Sequence, residues 1–190
     1  MEFDKVIKER KSCREFKIDE IAKETIFSLI EAARLSPSAA NRQPWQFMVT
    51  TGKKKEEIAA IMENELEGKD AKEISDPTEQ YVPVKSLYYS IKAIRQAPVL
   101  IVVLRDKEDN WLCGDYLSIG SAVEHICLKA TDLSLGSLCL RDVIYTADKI
   151  AECLGEKEKE VVVARAVGYD NEEPYPRSRK KIEDIMRWYD

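Results

Sequence analysis

The sequence predicts one layered domain in which helices alternate with three or four separated strands, an α+β or α/β architecture. Three observations lead there. The stretch Pro98 to Arg105, PVLIVVLR, is apolar on both faces and reads as a buried strand. The stretch Asp115 to Leu133 carries apolar residues at helical spacing on two sides, which reads as a long helix buried centrally or in a subunit interface. The chain has 190 residues, 44% of them hydrophobic, which suits a single domain over 1–190 with a core of its own.

Taken in order, Met1 to Arg10 reads as a short helix. Asp19 is placed to cap a second helix, whose apolar stripe is Ile21, Ile26, Leu29, Ile30 and Ala33. That helix must stop before Pro37. Pro44 to Thr51 is rich in aromatic and β-branched residues and reads as a strand. Lys53 to Glu67 reads as a third helix closed by Gly68. Gly68 to Gln96 is the least legible part, polar at first and helical near its end. In the long helix, Tyr116, Ile119, Val123, Ile126, Ala130 and Leu133 form one stripe, and Leu117, Gly120 and Leu128 a second. Leu133 to Arg141 reads as a tight exit from that helix. Ala147 to Leu154 is a short helix, Glu160 to Tyr169 contains a strand, and an amphipathic turn leads to Asp190.

Composition and missing motifs narrow the function. The net charge of −5 opposes nucleic acid as the main partner. Met1 to Arg10 has no apolar core of a signal peptide, and no apolar run is long enough to span a membrane, so a cytoplasmic protein is expected. Five cysteines without a C-x-x-C pair give no zinc or iron–sulfur spacing, and no metal site is expected. No two of the seven glycines are one residue apart, which excludes G-x-G-x-x-G. There is also no P-loop and no G-x-S-x-G elbow. His125 is the only histidine, and a structural role inside its helix is the favoured reading. Beside it, Glu124 needs a partner, and an ion pair with a nearby arginine is favoured over catalysis.

Four features fit one ligand. Arg10, Lys11 and Arg14 put three cations within five residues around Ser12. In extended backbone Arg10, Ser12 and Arg14 share a side, and arginine forks with a hydroxyl suit phosphate oxygens. Alone, the cluster is an ordinary basic turn. Ser36 to Phe47 joins helix to strand through small residues, two prolines and Asn41, which lets backbone approach a flat ring and offers both donor and acceptor. Its plainer meaning is a rigid connection with Trp45 in the core. Leu133 to Arg141 is the third feature. Pro176 to Lys181, containing Arg177 and Arg179, is a second basic segment, either a phosphate clamp or a solvated tail.

Together these features resemble the nitroreductase family. Arg10 to Phe16 matches its R-[RKH]-S-x-R-x-F element, and Ser36 to Trp45 matches S-P-S-x-x-N-x-Q-P-W at every named position. The resemblance continues through the strand after Pro98, the helix from Asp115, Gly136-Ser137, the V-x-x-G near Gly168 and the basic segment before Ile182, covering nearly the whole chain. It implies a three-layer α+β homodimer with a mostly antiparallel sheet and FMN at the subunit interface. It assigns Arg10, Lys11, Ser12 and Arg14 to the phosphate, ribityl chain and pyrimidine side. Pro37, Ser38, Ala39 and Asn41 would reach the flavin of the partner, and Arg177 and Arg179 would complete the phosphate site. Backbone of Cys139, Leu140 and Arg141 would lie near the ring, with Cys139 read as packing in preference to a redox thiol. This family often has an aromatic or proline and a glycine at that turn, and Cys139, Arg141 and Asp142 depart from it.

The implied activity is ping-pong hydride transfer from NADH or NADPH through FMN to a nitro compound, quinone or related acceptor, with no catalytic side chain required. The alternatives are dehalogenation or flavin fragmentation on the same fold, or a flavin-binding protein without turnover.

Overall fold

A computed structural model describes residues 2–66, 73–74, 82–107, 110–173 and 178–190. Its elements follow one another as α1 (Phe3–Glu9), α2 (Lys23–Arg34), a 3-10 turn (Ala39–Asn41), β1 (Gln46–Thr50), α3 (Gly52–Asn64), β2 (Glu73–Ile74), β3 (Val82–Pro83), α4 (Val84–Gln96), β4 (Val99–Asp106), α5 (Leu112–Asp132), β5 (Gly136–Leu140), a second 3-10 turn (Arg141–Thr146), α6 (Ala147–Cys153), β6 (Lys159–Gly168) and α7 (Ile182–Ile185). The expected closure of α3 at Gly68, and most of the stretch between Gly68 and Tyr81, lie outside the described residues.

The main sheet has the order β1-β4-β6-β5, and every neighbouring pair is antiparallel. Side chains alternate across β4, which makes three layers. Leu100, Val102 and Leu104 face a core with Ile58 and Met62 of α3, Leu87 and Ile94 of α4, and Ile150 of α6. Val99 and Ile101 face the opposite core with Leu29 and Ala33 of α2 and Ala122, Ile126 and Ala130 of α5. The fold is α+β, a central antiparallel sheet flanked by helices.

Two readings need correction. Asp19 caps nothing: α2 begins at Lys23 behind Ala22, whose carbonyl accepts from the Thr25 and Ile26 amides. Ile21 is buried, and Ala22 after it has a non-helical ψ of 142°, so the helix starts three residues later than the capping signal suggests. The exit from α5 is also more than a turn. It becomes strand β5, paired along its length from Gly136–Gly168 to Leu140–Ala164.

The two stripes of α5 have different fates. Of the first, Ile119, Val123, Ile126 and Ala130 are buried and Leu133 half-buried, but Tyr116 is exposed; of the second, Leu117 is 71% exposed, Gly120 is at the surface and Leu128 is half-buried. Burial of the second stripe is therefore not achieved within one chain.

Lys55 is a buried cation with a specific task. Its ammonium donates to the carbonyls of Ile94 at 2.6 Å and Arg95 at 2.7 Å, at the C-terminal end of α4, where a helix favours positive charge. Burial pushes its pKa down from the usual lysine value. Lys55→Met is expected to destabilise the protein by about 1–3 kcal/mol, because it leaves two acceptors without their donor. Urea unfolding measures this, and an unchanged midpoint would show that those carbonyls do not need Lys55.

Candidate functional site

The segment after α1 is held as a strap alongside β5. Ser12 bridges Ser137 in parallel, and the Cys13 amide donates to the Ser137 carbonyl at 3.0 Å. Phe16 bridges Asp170, and the Lys17 amide donates to Tyr169. Glycine makes this approach possible. A Cβ at Gly136 would lie 2.7 Å from both Cβ and Sγ of Cys13. One at Gly168 would lie 2.6 Å from Cδ of Pro98 and 2.9 Å from Cδ1 of Phe16.

Asp170 fastens the strap. Its Oδ2 is 2.7 Å from the Lys11 ammonium, and its Oδ1 accepts from the Cys13 thiol at 3.2 Å and the Glu172 amide at 2.9 Å. The Glu172 carboxylate in turn accepts from the Arg14 amide at 2.8 Å. Burial opposes ionisation of Asp170, but the hydrogen bonds from Lys11, Glu172 and Cys13 outweigh it and hold the carboxyl below its ordinary range. For Cys13, burial and the Asp170 carboxylate push the thiol up to about 12. Cys13, Asp170 and Glu172 lie close enough to share one metal ion, yet the thiol is protonated and Lys11 already neutralises Asp170.

A pH dependence follows. A carboxyl with a lowered folded pKa stabilises the fold above its unfolded value, about 3.9, and loses that contribution as pH falls through the folded value. The thermal midpoint is therefore expected to drop on acidification below about pH 4. Asp170→Asn should flatten this acid limb when melting is followed by circular dichroism. An identical limb in the variant would remove Asp170 as its source.

Arg10 follows α1, with its Nε 3.8 Å from the Glu124 carboxylate, so the ion-pair reading of Glu124 holds. Arg14 Nη1 donates to the Ser12 carbonyl at 3.3 Å. Arg14 also lines a cavity of about 310 Å³ with Ser86, Tyr89 and Ser90 of α4, Leu138 and Cys139 of β5, and Arg141 and Asp142. Leu140 is interior, whereas Cys139 lies at the surface of β5. Ser86, Ser90, Asp170 and Glu172 were not singled out in the sequence, and Asp142 was noted only as a departure from the family's usual turn. Only their nearness in space marks them, since Asp170 lies 157 positions from Cys13 and Asp142 lies 52 from Ser90.

The other predicted element sits elsewhere in the chain. The Ala39 amide donates to Ser118 Oγ at 3.1 Å, and a Cβ at Gly114 would lie 3.2 Å from Cβ of Ala39. Ser38 Oγ accepts from the Gln43 amide at 3.0 Å. Pro37 and Asn41 are exposed, and Ala40, Asn41 and Gln43 have positive φ of 51°, 54° and 51°. At 1.5 Å per residue, Gly114 and Ser118 lie about 9–15 Å along α5 from Glu124, where Arg10 sits. Pro37 to Asn41 and the Arg10 segment thus meet different parts of the same helix. His125 joins α5 to α2, its Nδ1 lying 2.7 Å from Ser36 Oγ and 3.0 Å from the Ala32 carbonyl, as its structural reading expects. Arg177 lies outside the described residues. Arg179 belongs to residues 178–190, all of which are exposed.

This is a three-layer fold with a strapped, cation-bearing N-terminal segment beside the last strand of its sheet. Residues 7–169 match the model of the nitroreductase family, and the chain belongs to that family. Iodotyrosine deiodinase from Thermotoga neapolitana is 26% identical over 175 residues, covering 90% of this chain and 91% of that one. A shorter match to 4-nitrobenzoate reductase from Pseudomonas putida is 38% identical over 61 residues, 32% of this chain and only 27% of that protein. The crystal structure of the FMN and NADPH-dependent nitroreductase NfnB from Sphigopyxis sp. strain HMH superposes with a TM-score of 0.83 over 100% of this chain and 99% of that one. With 16% identity, that likeness is one of fold. No helix among the described residues is long and apolar enough to cross a membrane.

Proposed function

We propose that the chain is an FMN-dependent oxidoreductase of the nitroreductase type, a single domain over 1–190 that works as a homodimer and takes electrons from NADH or NADPH. The observation that carries this reading is the strap. Backbone pairing with β5 and the Asp170 clamp hold Arg10, Ser12 and Arg14 on one strap, and Arg14 lines a polar cavity beside it. The Arg10 guanidinium and the Ser12 hydroxyl suit a phosphate and its polyol, and a cavity walled by Arg14, Ser86, Ser90 and Arg141 suits the polar edge of a ring. When bound, FMN supplies the two-electron chemistry that links the nicotinamide to the acceptor. The residues of the chain bind and orient. Arg10 neutralises phosphate, with Arg177 and Arg179 completing that site, and Arg14 faces the pyrimidine side through the cavity it lines. Backbone near Cys139, Leu140 and Arg141 borders the ring, and cations near the pyrimidine favour the anionic reduced state. Lys11 assists through Asp170, by fixing the strap.

Two features support the dimer. Pro37, Ser38, Ala39 and Asn41 meet α5 about 9–15 Å from Glu124 and the Arg10 segment of their own chain, which supports their serving the partner's flavin. The exposed second stripe of α5 then supplies the apolar contact. Five free thiols fit the reducing cytoplasm.

Purified protein is expected to be yellow, to release FMN on denaturation, and to bleach on anaerobic addition of reduced nicotinamide. Recovery of colour with a nitroaromatic or quinone would complete the cycle. A colourless protein that takes up no added FMN overturns the proposal. The near full-length deiodinase relative keeps dehalogenation as a second reading, favoured if an iodinated phenol, and no nitro compound, restores the colour.

A further inference from the structure

The cavity beside Arg14 contains a polar arrangement that the family resemblance does not assign. Asp142 follows β5 in the 3-10 turn Arg141–Thr146 and is 7% exposed. Its Oδ2 accepts two hydroxyl hydrogens, from Ser86 at 2.9 Å and from Ser90 at 2.7 Å. Both serines lie one turn apart on α4, and both line the cavity with Asp142. A hydroxyl has one hydrogen and two acceptor lone pairs. With each hydrogen committed to the carboxylate, the remaining capacity of both oxygens is to accept. A buried carboxylate makes that commitment strong, since bonds to a charged acceptor are about twice as strong as neutral ones.

Arg14 and Arg141 line the same cavity, and a guanidinium only donates. The lining therefore combines acceptors with donors. An edge with a donor flanked by acceptors can use both kinds, and that is the pattern of a cyclic imide: carbonyl, N–H, carbonyl. We propose that Ser86 and Ser90 receive the imide N–H of the flavin pyrimidine, and that Asp142 is the positioning residue that fixes them as acceptors. This rests on the FMN reading above and adds to it the residues that select an imide edge.

The test uses the full-length protein, stripped of flavin and titrated with FMN or with 3-methyl-FMN, which lacks the imide hydrogen. Wild type is expected to bind 3-methyl-FMN about tenfold or more weakly than FMN, the size of one lost hydrogen bond in a buried site. Ser86→Ala combined with Ser90→Ala removes the acceptors, and the two flavins should then bind within about threefold of one another. Asp142→Leu frees the hydroxyl hydrogens and should likewise erase the preference. A purely structural Asp142 would weaken both flavins equally and leave their ratio unchanged. If Asp142→Leu does not fold, the serine variant decides alone. Equal binding of both flavins to wild type, or a ratio that survives loss of both hydroxyls, overturns the proposal. Failure of wild type to bind either flavin would instead overturn the FMN reading itself.

Discussion

Replacing Arg105 by methionine is expected to lower the free energy of unfolding by about 3–5 kcal/mol, the cost of stranding a buried charge. Arg105 ends the apolar run of β4 and is 5% exposed. Its Nη2 lies 2.7 Å from the Glu160 carboxylate, and its Nη1 donates to the Asp106 carbonyl at 2.9 Å. The same group is 3.7 Å from Asp115 at the start of α5, which is 1% exposed. Arg42 approaches the other Asp115 oxygen at 3.6 Å, and neither oxygen has a hydrogen-bond donor among the described residues. Asp115 thus depends on two cations at close range, and Arg105 is the more buried of them. Loss of Arg105 leaves the carboxylate facing only Arg42. Asp115→Leu should recover much of the loss when combined with Arg105→Met, because the pair is then removed together. Denaturant unfolding of the four proteins in a double-mutant cycle measures the coupling. Losses that simply add would show that Arg105 stabilises through Glu160 alone.

Arg10→Ala is expected to weaken FMN binding by about 10–100-fold, the value of a charge-assisted hydrogen bond to a phosphate. Arg10 sits where α1 ends and the strap begins, on the side of α5 that carries Glu124. Arg10→Lys keeps the charge but loses the planar fork, and should fall between the two. Flavin fluorescence titration at two salt concentrations measures both, with the wild-type affinity falling more steeply as salt rises. Unchanged affinity in Arg10→Ala would remove this residue from the phosphate site.

Much of the fold was legible because its signals were local. The run in β4 and the first stripe of α5 follow from hydrophobic spacing alone, and both occur within three residues of the expected boundaries. What escaped was set by distant partners. Gly136–Leu140 is short and begins with a glycine, and it is a strand only because β6 pairs with it. Arg105 closes the apolar run of β4, and its pairing with Asp115 of α5 is set by a residue ten positions away. The candidate site divides in the same way. The cations of the strap are visible as a cluster in the sequence, but the carboxylate that engages Lys11 follows the last strand of the sheet. Ser86 and Ser90 lie in the stretch with the weakest pattern, and their meaning depends on Asp142.

The high pKa of Cys13 bears on how such a protein survives its own chemistry. Reduced flavins pass electrons to dioxygen and release hydrogen peroxide, so with FMN at its proposed place beside the strap, Cys13 would meet oxidant made a few residues away. Peroxide attacks the thiolate, and a thiol near 12 is ionised to only about one part in a hundred thousand at neutral pH. With its sulfur fully buried and its hydrogen held by Asp170, Cys13 can fill the space beside Gly136 without becoming a point of oxidative damage.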